Sequence, residues 1–254
     1  MRLCSIQYFL RQRVEAIANH AEFDFMVFPS GIYQKERFLK IAHPYVYGYK
    51  IFDDDIAQFS KRQLPFIVWN NIYRTSSLRK HGLKWDVHLL SLQDADFNIS
   101  SIACGMRYAY ATNAKADYGY RIASKSSVSK NIQGSKHISS HLYATKKMCE
   151  VVHSFCGSRY DWHLFKGALS IYNECMSGAG LNKQFAESLI ETLHSCNCRY
   201  WLLLRFQVIA THVLRLFLPK KLSRQIPMGF YLIGRAYAGR KKIKHLKSFG
   251  LIKD

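Results

Sequence analysis

The densest run of residues able to do chemistry is Gln93-Asp94-Ala95-Asp96, followed by Asp117-Tyr118-Gly119-Tyr120-Arg121 and by Ser126-Ser127-Val128-Ser129. A carboxylate in the first turn of a helix is aimed into whatever cleft faces that helix, and the helix dipole and free amides favour its charge. Such an aspartate can serve as a general base toward a hydroxyl group; the commoner use of the same residue is helix capping. A second acidic run, Asp53-Asp54-Asp55, contains the D-x-D spacing of metal-nucleotide sites and fits a helix N-terminus equally well. His137 and His141 stand four apart, yet no third ligand has a suitable spacing. Cys196-x-Cys198 lacks a second cysteine pair, so no metal site is expected.

Elements that could hold these residues follow from periodicity. Residues 8–18 place Phe9, Leu10, Val14 and Ile17 on one face of an amphipathic helix. Phe23 to Pro29 is a nearly continuous apolar run, as expected of a strand buried on both faces of a parallel sheet. A helix is expected over 53–63, a second buried strand over 64–74 interrupted by Asn70 and Asn71, a helix over 92–103 ended by Gly105, and a strand over 107–112. Beyond about residue 130 the pattern turns helical, with helix-length segments at 137–155, 162–176, 182–196 and 200–218. Alternating strands and helices followed by helices alone predict an α/β layer fold with a helical extension.

Composition narrows the class. The chain has 254 residues, 48% of them hydrophobic, which excludes disorder as its main state and provides for a sizeable core. Its 37 Lys and Arg against 17 Asp and Glu give a formal charge of +20, which speaks of anionic partners rather than of fold. The excess is concentrated: residues 199–254 hold thirteen basic residues and one acid, Asp254. Seven scattered cysteines without a CxxC pair read as reduced thiols, and the short apolar stretch bracketed by Arg2, Arg11 and Arg13 does not read as a signal peptide. A cytoplasmic protein is expected.

The stretch from Trp69 to Lys130 resembles the second half of family 2 glycosyltransferases of the GT-A fold. An Arg-x-x-x-Leu element, a glycine and an aromatic-Asp turn are matched by Arg74, Leu78, Gly82 and Trp85-Asp86. The family's acidic pair at the start of a helix is matched by Gln93-Asp94. A small-residue helix, a glycine, a short aromatic strand, and Tyr120-Arg121 before Ser-rich residues complete the order. The resemblance implies that Asp94 is the catalytic base of an inverting transfer from a nucleotide-sugar. It also implies that Gln93, Asp96 and Trp85 contact the acceptor, and that Tyr120 and Arg121 lie near the donor phosphates, where an arginine fork matches phosphate oxygens.

The same resemblance implies a divalent cation, Mg²⁺ or Mn²⁺, held by a D-x-D motif that this chain does not show at the matching place. Asp53 to Asp55 fall after the strand rather than before the helix. The expectation is an incomplete, Rossmann-like GT-A domain over 1–135, lacking the family's nucleotide-binding segment, and a helical extension over 136–254. The implied partners are a nucleotide-sugar donor and a saccharide or lipid-linked acceptor used in cell-surface polysaccharide synthesis. A noncatalytic remnant that binds saccharide or a membrane surface remains the alternative.

Tyr200 to Leu218 is the most apolar segment, but Arg205, His212 and Arg215 interrupt it, so an interfacial helix is expected rather than a span. Arg240, Lys241, Lys242 and Lys244 would add attraction to anionic headgroups at the inner face of the cell membrane. A helix buried on the α/β body accounts for the same pattern. No nucleic-acid-binding motif is present, and no specific nucleic-acid partner is expected.

Overall fold

A computed structural model describes residues 4–34, 37–38, 47–114, 116, 118–121, 135–177, 183–219, 222–223 and 229–248. The side chains of 4–9, 31–34, 37–38, 118–121, 135, 174–177, 183 and part of the last helix lie outside that description. The chain is a mixed α/β protein. The helix α1 (Cys4–Ala18) leads into β1 (Phe25–Val27), which is fully buried and central. Its neighbours are β4 (Asn71–Tyr73), antiparallel, and β5 (Tyr108–Tyr110), parallel. The expected burial on both faces is therefore present, in a mixed rather than a parallel sheet. A second small sheet joins β2 (Ser30–Gln34) to β3 (Arg37–Phe38), antiparallel, and to β6 (Tyr118–Arg121), parallel.

Strand alternation sends the side chains of β1 to two different layers. Met26 and Phe28 pack with Ile17 of α1 on one face. Phe25 and Val27 face the main core on the other. Phe25 is paired in register with Tyr73 and Tyr108, and its ring stacks on both at 4.6 and 4.9 Å, so cross-strand aromatic contacts fasten the three strands together.

The stretch 64–74, expected as a strand interrupted by Asn70 and Asn71, is a strand only over Asn71–Tyr73. Residues Val68–Asn70 form a 3-10 turn before the three-residue β4. The cause is Asn70, whose buried amide accepts from Ile67 N at 3.1 Å and donates to Phe28 O at 2.8 Å, folding the backbone back on itself. Gly48 closes this corner at φ +83°; a Cβ there would meet Phe28 O at 2.1 Å.

The helices follow the periodicity closely. They are α2 (Asp55–Ser60), α3 (Thr75–Lys80), α4 (Gln93–Ala103), α5 (Ser135–Cys156), α6 (Asp161–Ser177), α7 (Lys183–Ser195) and α8 (Trp201–Arg215). Of these, α3 was not read from the sequence, nor was a last helix, α9 (Gly229–Ser248), whose residues lack an apolar stripe at helical spacing. Helix α5 packs along α4, α6 on α2, α7 on α5, and α8 on α7. The core is continuous from Phe25 and Phe66 through Ile99, Cys149, Leu164, Tyr172 and Leu189 to Leu204 and Val208. Helices α5 to α8 thus complete the core that the sheet begins.

Candidate functional site

Helix α4 begins immediately after Leu92, which adopts a left-handed conformation at φ +66° and makes no side-chain cap. Gln93 and Asp94 are consequently thrown into the first turn. The Gln93 amide donates to Leu89 O at 2.6 Å and fixes the approach to the helix. Asp94 is half-buried, and among the described residues no hydrogen bond or ion pair engages its carboxylate. Burial pushes its pKa above the ordinary aspartate value. It therefore does not perform the capping that is the usual use of an acid at this place. By contrast, Asp54 does cap α2, accepting from Ala57 N at 2.9 Å.

Asp96 lies two residues on, in the same turn, and is buried. Its Oδ2 accepts from Lys147 Nζ at 2.8 Å, and the same ammonium reaches Asp86 at 2.7 Å. Lys147, on α5, thus ties the Trp85-Asp86 turn to the first turn of α4. Its hydrogen bond holds the Asp86 carboxyl down at about 2, with further bonds from His88 N and the Tyr143 hydroxyl. Burial pushes Asp96 the other way, upward, against the pull of Lys147. Ser140 completes the clamp, its hydroxyl accepting from the Leu90 and Ser91 amides at 2.9 and 3.2 Å.

Trp85 is 45% exposed, and its ring rests against Phe97 at 5.6 Å. Phe97 is three residues from Asp94 and shares its side of the helix. An exposed indole face is therefore held on the flank of α4 that carries the unpartnered carboxylate. Tyr120 and Arg121 lie on β6, and their side chains lie outside the described residues, as does Ser126-Ser127-Val128-Ser129.

The other candidate groups have structural partners. Asp55 is buried beneath the sheet and accepts from the hydroxyls of Tyr108 and Tyr110 at 2.7 and 2.8 Å, with Lys50 Nζ at 3.6 Å. With Asp54 capping α2 and Asp55 engaged by two phenols, these residues do not fit a divalent cation. Among the described residues no group of three or more His, Cys, Asp or Glu converges as a metal site. His141, four residues from His137, is buried. Its Nδ1 lies 3.1 Å from Arg62 Nη2, and burial and the Arg62 charge push its pKa down to about 4, so it is a neutral acceptor. Cys198 is a buried free thiol whose sulfur points at Asp161 O, and Cys196 lies against Cys149.

Arg74, the first residue of the matched Arg-x-x-x-Leu element, donates to Phe23 O, Ile17 O and His20 O, the carbonyls at and just after the end of α1. Leu78 packs on the core. Lys147, Tyr143 and Ser140 were missed because they lie some fifty residues or more from the acids and backbone amides they hold. Their one sequence signal is their spacing at i, i+3 and i+7, a polar stripe on a helix that packs on α4. Set against known protein families and against curated proteins, the chain matches none.

Proposed function

We propose that the chain is the acceptor-side part of an inverting, nucleotide-sugar-dependent glycosyltransferase with a GT-A-like sheet, in which Asp94 is the catalytic base. The observation that carries this reading is the Asp94 carboxylate: half-buried, raised in pKa, free of partners among the described residues, and beside an exposed tryptophan. Trp85 offers the acceptor sugar an apolar ring face. Asp94 takes the proton of the acceptor hydroxyl as that oxygen bonds to the anomeric carbon. The bond from that carbon to the nucleotide diphosphate breaks with inversion. The raised pKa strengthens the base. Gln93, in place of an acid, spares Asp94 a neighbouring negative charge, and its amide sets the start of α4.

Tyr120 and Arg121 are assigned to the donor phosphates, and no step is drawn through a metal ion. The acceptor is a saccharide or a lipid-linked saccharide of a cell-surface polysaccharide. Among the described residues no helix is long and apolar enough to cross a membrane; the proposed place of work is peripheral, at the cytoplasmic face of the cell membrane.

Joined to a nucleotide-binding segment of such a transferase, the chain is expected to move sugar from a UDP-sugar to a saccharide acceptor. Asp94→Asn should lower kcat/KM by about 10²- to 10⁴-fold with an unchanged circular dichroism spectrum. In the parent protein the acidic limb of kcat/KM should lie above 3.8, the ordinary aspartate value. Transfer by the asparagine variant at the parent rate would remove Asp94 from the mechanism.

A further inference from the structure

Helix α8 is apolar on two opposite faces. One face, with Leu204, Val208 and Thr211, is buried, and the helix packs on α6 and α7. The other carries Leu202, Phe206, Ile209 and Val213, all exposed, Phe206 at 68%, and exposed Leu216 and Phe217 follow directly after the helix. At about 100° per residue the four helical ones fall within roughly 60° of arc, turned away from the buried face. A helix lying on a protein in water carries polar residues there. A contiguous outer stripe of large apolar side chains marks a surface that meets something apolar.

Charge identifies what it meets. Thirteen Lys and Arg against one acid over residues 199–254 surround this stripe in the sequence, and Arg205 stands exposed at its edge beside His212. On α9, Arg240, Lys241, Lys244 and Lys247 are exposed. The acids facing α8 are Glu187 and Glu191 of α7, across a flanking groove of about 760 Å³ shared with His194, Arg205 and His212. An apolar stripe with cations at its edge and in the following helix suits phospholipid: acyl chains for the stripe, headgroup phosphates for the cations. At 15 residues α8 is about 22 Å long, shorter than the roughly 30 Å hydrocarbon core, so it lies along the bilayer rather than through it.

We infer that the outer face of α8 docks the protein on anionic lipid bilayers. The inference deepens the peripheral placement proposed above and stands apart from the sugar chemistry. The test uses the full chain and vesicles of phosphatidylcholine with or without an equal part of phosphatidylglycerol. The chain should sediment with the mixed vesicles and remain in solution with phosphatidylcholine alone. Phe206→Ser combined with Ile209→Ser should weaken binding by about tenfold or more, with an unchanged unfolding midpoint because both side chains are exposed. Parent-like binding by the double variant would overturn the inference. So would a dimer of the parent chain, formed without vesicles, that the double variant dissociates, because the stripe would then be an interface between copies. Asp94→Asn should bind vesicles as the parent does, so a failure of the catalytic assignment and a failure of the docking surface are told apart.

Discussion

Two aspartates two residues apart, Asp94 and Asp96, have opposite fates, and one lysine decides which. Asp96 and Asp86 share the Lys147 ammonium, whereas Asp94, two residues before Asp96 in the same turn, is left without a partner among the described residues. Lys147 therefore spares the structure two carboxylates facing each other in a partly buried place. Replacing it with methionine keeps the stem and removes the charge, which should cost about 2 kcal/mol in urea unfolding. The figure is set below that for a fully buried pair because the Lys147 side chain keeps 26% of its exposure. A second change, Asp96→Asn in the Lys147→Met background, should recover part of that loss, because it removes the uncompensated buried charge. Asp86 also makes the clamp sensitive to pH. Its folded pKa is lowered, so its contribution is complete above 3.8 and is lost as the pH falls toward about 2. A Lys147→Met protein as stable as the parent at neutral pH would show that the bridge is only a surface contact.

At the scale of elements, junction residues do more than the elements themselves reveal. Arg74 leads into α3, yet its guanidinium holds carbonyls at the end of α1, more than fifty residues earlier. Carbonyls at a helix C-terminus lack intrahelical donors, and a cation there also suits the dipole. Arg74→Met should therefore cost about 1 to 2 kcal/mol and raise amide exchange in the last turn of α1 ahead of other helices. Uniform loss of protection would deny the cap. The same contrast separates what was legible in the sequence from what was not. Periodicity placed α4 to α8 within a few residues, because each buries a stripe at helical spacing against a neighbour. It gave the break at Asn70 and Asn71 but not its form, because the Asn70 side chain rather than hydrophobicity shapes that backbone, and it missed the six-residue α3 and also α9, where the stripe is missing. The start of α4 could be read from local order, with Asp94 and Asp96 in its first turn. The Lys147 bridge could not, since nothing local links residue 147 to residues 86 and 96.

For the whole molecule, the question is whether the sheet-bearing half and the helical half fold as one. Fully buried residues on both sides of residue 135, among them Phe25, Phe66, Ile99, Cys149, Tyr172 and Leu189, belong to one continuous core, and α5 lies along α4 over much of its length. Separating the halves would expose Ile99 and Ala95 on one side and Val152 and Met148 on the other. Exposing apolar area costs roughly 25 cal/mol per Å², so a few such side chains outweigh a domain's typical margin of 5 to 15 kcal/mol. The four tryptophans provide the measurement: Trp69 and Trp85 report on the first half, Trp162 and Trp201 on the second. Two variants, each keeping one pair and carrying phenylalanine at the other, should give urea transitions that coincide with each other and with circular dichroism, as two-state unfolding requires. Midpoints that separate between the variants, with the helical half outlasting the sheet, would instead make residues 136–254 a domain in its own right. The α4–α5 packing would then be a docking contact between two folded bodies, and the position of Lys147 against Asp86 and Asp96 would depend on that docking.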